Sequence, residues 1–155
     1  MLHTEYYKDG TPCECDEMRR CYCDEILCQE TPCANGKEHG TTKGYYASGA
    51  LEWETPYENG KIHGTEKWYY ESGAIECETP FVNNDKHGIH KEYYTTGTLR
   101  IETTFVNNKR HGTKKWYYKS GALAREAKYK NGVLQGYKRC SDGRFGNESL
   151  KCLKN

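Results

Sequence analysis

The sequence is poor in aliphatic residues and has no long apolar run. Leucine, isoleucine, valine and phenylalanine account for only 19 of the 155 residues. We therefore do not expect a conventional aliphatic core. No apolar stretch approaches the roughly 20 residues that a membrane-spanning helix needs, so the sequence does not indicate a transmembrane segment.

The chain also lacks an excess of charge of either sign. Its 23 lysine and arginine residues oppose 22 aspartate and glutamate residues, which gives a net charge of +1. This balance creates no basic field for nucleic-acid phosphates, so we expect no nucleic-acid partner. The first residues show neither the basic nor the apolar region of a signal peptide, and the default expectation is the cytoplasm. Nine cysteines leave a periplasmic or secreted location open.

What the sequence does contain is 14 tyrosines and a repeat of 24 residues. A tyrosine pair, a glycine, an aliphatic residue and a glutamate each recur at this step. They are Tyr45-Tyr46, Tyr69-Tyr70, Tyr93-Tyr94 and Tyr117-Tyr118; Gly49, Gly73, Gly97 and Gly121; Leu51, Ile75, Leu99 and Leu123; and Glu54, Glu78, Glu102 and Glu126. The stretch from Cys21 to Gly40 is a cysteine-rich variant of the same unit. Such periodicity predicts a repeat architecture.

Each unit is predicted to form two antiparallel strands. Tyrosine, tryptophan and threonine favour strands, while Ser-Gly and Asn-Gly supply the positive φ angles of tight turns. A two-residue turn at Ser48-Gly49 pairs Tyr46 with Leu51, Gly44 with Trp53 and Lys43 with Glu54. A helical interpretation is worse, because the prolines of the repeat would each break a helix at a cost of about 3 kcal/mol.

Alternation along these strands sorts each unit onto two faces. In the second full unit one face collects Trp68, Tyr70, Ile75, Cys77, Thr79 and Phe81, and the other collects Lys67, Tyr69, Glu71, Ala74, Glu76 and Glu78. The same register places Lys67, Lys91 and Lys115 opposite Glu78, Glu102 and Glu126. Each opposed pair favours the register by roughly 0.2–1 kcal/mol.

We therefore predict an all-β fold, a single-layer antiparallel meander of stacked β-hairpins that is elongated and ends in a short cap that could be helical. The expected organisation is one repeat domain over residues 1–155. It comprises cysteine-rich degenerate repeats at 1–40, four regular repeats at 41–136 and a C-terminal cap at 137–155.

The repeat unit Y-Y-x-S-G-x-L-x-x-E-x-x-Y-x-N-G-K-x-H-G resembles the bacterial MORN-repeat variant over residues 21–136. The resemblance implies a hairpin-built sheet without catalytic machinery that contacts proteins. It also implies two narrower roles: phospholipid binding, seen in some eukaryotic relatives, and an antitoxin or immunity component, the label of one bacterial branch. The sequence departs from the pattern at Asn84-Asp85 and Asn108-Lys109, where Asn-Gly-Lys is expected.

The recurring histidines are interpreted as turn residues. His39, His63, His87 and His111 lie about 9.6 Å apart if successive repeats are two strands apart, which is too far for neighbours to share a metal ion. We expect each imidazole to bond the neighbouring loop. His90 has no counterpart in the other units and is expected to be exposed.

The N-terminal cysteines leave three alternatives open: thiols, disulfides or a structural zinc. The members are Cys13, Cys15, Cys21, Cys23 and Cys28, all predicted on the face that bears lysine and glutamate in later repeats. Cys13 could pair with Cys23, and Cys15 with Cys21. Cys33 and Cys77 replace aromatic residues and are interpreted as small core residues. Cys140 and Cys152 could form a disulfide that fixes the cap.

No nucleophilic or acid–base site is visible, so we expect no enzyme activity, no cofactor and no metal. The favoured function is a protein–protein interaction module. Its candidate partner-binding residues are Trp53, Trp68, Tyr70, Tyr94, Trp116 and Tyr118. The alternative is a peripheral membrane protein that binds acidic lipid through Lys67, Lys91, Lys109, Arg110, Lys114 and Lys115. Near-zero net charge disfavours this alternative.

Overall fold

Fourteen β-strands follow one another in a computed structural model that describes residues 18–23 and 26–138. These residues include no helix that could span a membrane. The strands are β1 (Met18–Cys23), β2 (Ile26–Ala34), β3 (Lys37–Glu38), β4 (Gly40–Tyr45), β5 (Leu51–Glu58), β6 (Lys61–Ile62), β7 (Gly64–Tyr69), β8 (Ile75–Val82), β9 (Asp85–Lys86), β10 (Gly88–Tyr93), β11 (Leu99–Val106), β12 (Lys109–Tyr117), β13 (Leu123–Lys130) and β14 (Val133–Lys138). The predicted cap lies outside the described residues beyond Lys138.

The chain divides into two compact units. The first holds residues up to Ala74 together with Phe81–Asn84, and the second holds Ile75–Pro80 and the residues from Asp85 onward. The hydrogen-bonded order is β1-β2-β4-β5-β7 in the first unit and β8-β10-β11-β12-β13-β14 in the second. The paired strands within both units are antiparallel. The predicted all-β antiparallel meander of hairpins is confirmed.

The predicted hairpin register is right in the strands and wrong at the turn. Gly44 pairs with Trp53 and the next pair is the predicted lysine and glutamate, but Tyr45 rather than Tyr46 lies opposite Leu51. The reason is a three-residue loop at 47–49, in which the Gly49 N–H donates to the Tyr46 carbonyl at 2.8 Å. Gly49 has a φ of 82°. The longer loop places Tyr45 opposite Leu51, and a bulge between Gly44 and Tyr45 then restores the predicted pairs from Gly44 onward.

The connections at the opposite ends of the strands contain asparagine with a positive φ angle. Asn59 and Asn107 have φ angles of 53° and 48°, and each is followed by a second residue with positive φ. After Asn107 the second residue is Asn108, which has a φ of 63° and occupies a position where the repeat pattern predicts glycine. Asparagine tolerates this conformation. Its Oδ1 also accepts the Lys86 N–H at 2.8 Å, so the departure from the pattern adds a bond to the preceding loop.

The most buried side chains form a row of threonines rather than of aromatic rings. These side chains are Thr31, Thr42 and Thr55 in the first unit and Thr79 and Thr103 in the second, all 0–3% exposed, and Ala127 continues the row with no exposure. Alternation places this row on the same face as Trp53, Trp68 and Trp116, which we name the aromatic face. The tryptophans themselves are only half-buried.

Candidate interaction surface

The face opposite the aromatic face carries a row of alternating charges, which we name the ladder face. Register neighbours along this row are Arg20, Glu30, Lys43, Glu54 and Lys67 in the first unit. In the second unit they are Glu78, Lys91, Glu102, Lys115 and Glu126. An inner glutamate therefore has a lysine on each side, one from its own hairpin and one from the next. The predicted opposition of Lys91 to Glu102 and of Lys115 to Glu126 is confirmed.

Tyrosines complete the ladder. The hydroxyls of Tyr45 and Tyr93 donate to the carboxylates of Glu30 and Glu78 at 2.7 and 2.8 Å. Burial, the hydrogen bond and the nearby negative charge raise the pKa of both tyrosines from 10.0 to about 12. Because these ion pairs and hydrogen bonds form within the row, the polar groups of the ladder face find most of their partners on that face.

Glu54 shows how the row is balanced. It accepts hydrogen bonds from Tyr69 Oη at 2.8 Å and from Lys67 Nζ at 3.1 Å. Burial raises the pKa of this carboxyl, but the two hydrogen bonds and the lysine charges outweigh burial, so the net pKa is lowered. The carboxylate is thus held in its ionised form by neighbours from the following strand.

On the aromatic face, the first unit brings two of the predicted binding residues together. The rings of Trp53 and Trp68 lie opposite each other with centroids 6.0 Å apart and planes inclined at 34°. The Trp53 indole also covers Gly44, where an added Cβ would lie 2.2 Å from the ring. Tyr70 is half-buried at the start of the next loop.

The second unit places the remaining predicted binding residues differently. Trp116 is half-buried with the Arg125 guanidinium 4.0 Å and the Lys114 ammonium 4.8 Å from its ring centroid. The Tyr94 hydroxyl donates to the Tyr117 carbonyl at 2.8 Å. Tyr118 is 46% exposed. Within the described part of the chain, no ring contact joins these three side chains, and cations rather than aromatic rings lie over Trp116.

Two of the four turn histidines bond the neighbouring loop as predicted, whereas His63 Nδ1 lies 4.0 Å from Glu58 Oε2 of its own hairpin. His87 Nδ1 lies 3.3 Å from Asn107 Oδ1, and His111 Nδ1 lies 3.1 Å from Asn131 Oδ1, so each imidazole bonds the neighbouring loop. No group of three histidine, cysteine or acidic side chains suited to a metal ion occurs in residues 18–23 and 26–138.

The prediction for His90 is wrong, because its imidazole is enclosed on the aromatic face. Its side chain is 16% exposed. Nδ1 lies 2.8 Å from Thr79 Oγ1, Nε2 lies 3.3 Å from Glu92 Oε1, and the ring meets Phe105 edge-on. His90 lies on the same face as the threonine row. The lack of a matching histidine in the other repeats gave no sign of this placement.

One cysteine prediction is also wrong. Cys21 pairs with Gln29 in the row that leads to Trp53, so it belongs to the aromatic face and not to the charged one. It is buried, and the Cys28 thiol donates to its carbonyl at 3.3 Å. Cys33 is disulfide-bonded, which the interpretation as a small core residue did not include.

Five further cysteine predictions concern residues outside the described side chains. These residues are Cys13, Cys15, Cys23, Cys140 and Cys152.

Comparison of the four repeats with one another distinguishes the ladder residues from three columns of the aromatic face, and the sequence-based prediction missed this signal. The ladder positions are identical in all four repeats: Lys43, Lys67, Lys91 and Lys115; Glu54, Glu78, Glu102 and Glu126; and Tyr45, Tyr69, Tyr93 and Tyr117. Three columns of the aromatic face change instead: Thr42, Glu66, His90 and Lys114; Gly44, Trp68, Glu92 and Trp116; and Trp53, Cys77, Ile101 and Arg125. We name these twelve residues the varied positions. Alignment at the 24-residue step is enough to find them.

Among the comparisons with known proteins, a family model identifies this repeat. Among solved structures, the chain is similar to a GtfA/B complex bound to UDP and GlcNAc, at 14% identity and a TM-score of 0.32. That match covers 69% of this chain and spans about a fifth (21%) of the length of the other. No curated protein matches. The family model described as the MORN repeat variant matches residues 38–59, 62–83, 86–107 and 110–131, which is more than half of the chain. The chain therefore belongs to the MORN repeat variant family.

Proposed function

We propose that the protein is a non-catalytic module that binds another protein through its aromatic face. The observation that carries the proposal is the contrast between the invariant lysine, glutamate and tyrosine columns of the ladder and the varied positions at the centre of the aromatic face. Repeats that share one fold need the same residues wherever those residues only hold the fold. The fold does not hold the varied positions to one residue, and they are therefore free to serve recognition.

The composition of the aromatic face supports the same function. Tryptophan, tyrosine and arginine are the residues that most often dominate the energy of protein interfaces. Trp68, Trp116 and Arg125 lie at varied positions, and none of the three is buried. A partner would therefore meet large side chains that the fold leaves partly open.

Variants at neighbouring positions test the proposal, because adjacent residues of one strand point to opposite faces. Full-length protein is used as bait in cells of the native host, and retained proteins are identified by mass spectrometry. We expect Trp68→Ala with Trp116→Ala to remove a partner that the wild type retains. Lys67→Ala with Lys115→Ala, on the ladder face of the same strands, is expected to retain it.

Circular dichroism and the urea midpoint of each variant accompany this measurement. Retention of the same partner by both folded double variants would contradict the proposal. If the tryptophan variant unfolds, Arg125→Ala replaces it, because Arg125 is exposed.

A finer proposal is that the partner is a toxin and that the chain acts as an antitoxin or immunity component. Its support is the branch of the repeat family that carries this label. Co-expression with the product of a neighbouring gene tests it. Growth rescue by the wild type but not by the Trp68→Ala, Trp116→Ala protein is expected, and toxicity unchanged by the wild type would contradict it.

Membrane binding is less favoured by the placement of the basic residues. Lys67 and Lys115 lie on the ladder face, each within 3.4 Å of a glutamate oxygen. Lys114 lies on the opposite face, since it immediately precedes Lys115 in the strand. A flat lipid surface contacts one face at a time, so the six basic residues cannot act together.

A further inference from the structure

The second unit has a concentration of cations on its aromatic face. We name Arg110, Lys114, Trp116 and Arg125 the basic cluster. Trp116 and Arg125 are register partners on β12 and β13, and Lys114 lies two residues before Trp116 on the same face. Arg110 lies 5.1 Å from the Tyr129 ring centroid, and its Nη1 donates to the Tyr129 hydroxyl at 3.3 Å.

These cations have no counter-ion in the part of the chain that the structure describes. No carboxylate lies within 4.0 Å of a charged nitrogen of Arg110, Lys114 or Arg125, whereas Lys115, one residue along, is 3.4 Å from Glu102. The nearby Glu92 is already 2.6 Å from Arg100. Burial and the positive charges of Arg110 and Arg125 lower the pKa of Lys114 and outweigh the charge of Glu92, which raises it. The cluster therefore holds positive charge that an incoming anion would neutralise.

Contacts with aromatic rings hold the cationic side chains of the basic cluster in an orientation suited to binding an anion. An arginine that lies over an aromatic ring keeps the N–H groups at its edge available to a carboxylate. Contact with Trp116 also restricts the Arg125 side chain before binding, so less conformational entropy is lost when the anion arrives. The cluster thus combines available donors with limited motion.

The spacing fits an extended polypeptide. Lys114 and Arg125 are diagonal neighbours on adjacent strands, because Lys114 pairs with Ala127 two residues away from Arg125. Diagonal neighbours lie about 7–8 Å apart. Alternate side chains of an extended chain lie about 6.8 Å apart. Carboxylates at alternate positions of one strand could therefore reach both cations.

The first unit has no equivalent cluster among its described residues. The corresponding varied positions there carry Thr42, Trp53, Glu66 and Trp68, and the cation Arg19 is 3.3 Å from Glu38. A nucleic acid is a poorer occupant than a peptide, because its affinity depends on an extended basic field. The net charge of +1 and the alternating ladder on the other side of the same strands do not provide that field.

We propose that the basic cluster binds an acidic segment of the partner protein, in extended conformation, with glutamate or aspartate at alternate positions. This rests on the proposed function, in which the aromatic face contacts a protein, and it names the chemistry of that contact.

The test uses the full chain and a fluorescent peptide in which glutamate alternates with threonine. A peptide with glutamine in place of glutamate is its control. The wild type is expected to bind only the glutamate peptide, more weakly as salt is added. Lys114→Gln with Arg125→Gln should weaken binding about tenfold or more. Lys109→Gln with Lys128→Gln removes the same charge from exposed positions on the opposite face and should leave the affinity unchanged.

Equal loss in both double variants would show a general charge effect and overturn the proposal, as would binding of the glutamine peptide. Cluster-dependent binding of phosphatidylserine vesicles or single-stranded DNA that exceeds binding of the peptide would also overturn it. If the double variant is unfolded by circular dichroism, the exposed single change Arg125→Gln takes its place. Failure here, with partner retention still dependent on Trp68 and Trp116, would leave the proposed function standing.

Discussion

Threonine hydroxyls in the most buried row differ in whether they have a hydrogen-bond partner. Thr55 Oγ1 donates to Glu66 at 3.2 Å. Thr42 Oγ1 is buried and has no hydrogen-bond partner among the described residues. Since these two threonines are register partners on adjacent strands, they offer a matched pair for measuring what the hydroxyl contributes.

We expect Thr42→Val to raise the free energy of unfolding by about 1 kcal/mol, because it removes an unsatisfied polar atom without changing the shape of the side chain. Thr55→Val should lower it by about 1 kcal/mol, because its hydrogen bond is lost. Urea denaturation of both variants measures the difference. Destabilisation by Thr42→Val equal to that by Thr55→Val would contradict the prediction.

The pairing of a single residue could be predicted where both the residue and its partner recur every 24 residues. The pairing of Lys43 with Glu54 followed from the repeat, because opposite charges at a cross-strand site define one register. The enclosure of His90 could not be predicted, because it depends on Thr79 and Phe105, which sequence spacing does not connect to it.

Ladder contacts join each hairpin to its neighbour. Tyr93 lies at the end of β10 and donates to Glu78 of β8, so the tyrosine joins neighbouring strands. Burial, this hydrogen bond and the carboxylate charge raise the pKa of Tyr93 to about 12. A tyrosine whose pKa is raised by folding contributes stability below its unfolded pKa of 10.0, and this contribution is lost as pH rises through about 12.

We therefore expect Tyr93→Phe to lower the free energy of unfolding at pH 7 by about 1–2 kcal/mol. The gap between the two proteins should close between pH 10.0 and about 12. Lysine deprotonation acts on both proteins, so the difference between their urea midpoints isolates the tyrosine. A gap that stays constant to pH 12 would refute the prediction.

The strands of the hairpin could be predicted from the sequence, but its loop could not. Alternation and the Asn-Gly signals identified where the strands lie. The Ser48-Gly49 pair indicated a two-residue turn, yet the chain uses a three-residue loop that places Tyr45 opposite Leu51, followed by a bulge that restores the predicted pairs. Both loops place a glycine at positive φ, so turn residues alone do not distinguish them.

Across the molecule, the same contacts recur every 24 residues, and an inner ladder glutamate lies between two lysines. Removal of one complete repeat should therefore leave the remaining contacts in register. The fold class and repeat number were predictable for this reason, because every repeat reports the same pattern. The function of the aromatic face was less predictable, because its residues differ from repeat to repeat.

Deletion of residues 89–112 joins Gly88 to Thr113 and leaves Glu78 facing Lys115 in place of Lys91. We expect this protein to fold, with a lower urea midpoint because one repeat interface is lost. Deletion of residues 89–111 is the control, since it shifts the strand by one residue and exchanges its faces. Circular dichroism and urea denaturation compare the two. Equal behaviour of both deletions would mean that the ladder does not set the register.

The shared glutamates have a consequence for how such a chain can evolve. A tandem duplication of one repeat in the gene supplies a hairpin whose charges already match those of both neighbours, so the added copy need not await compensating mutations. Its Thr42-, Gly44- and Trp53-equivalent sites can then mutate separately from those of the parent copy. Growth of the array and change of its aromatic face thus become independent events, the first governed by recombination and the second by point substitution.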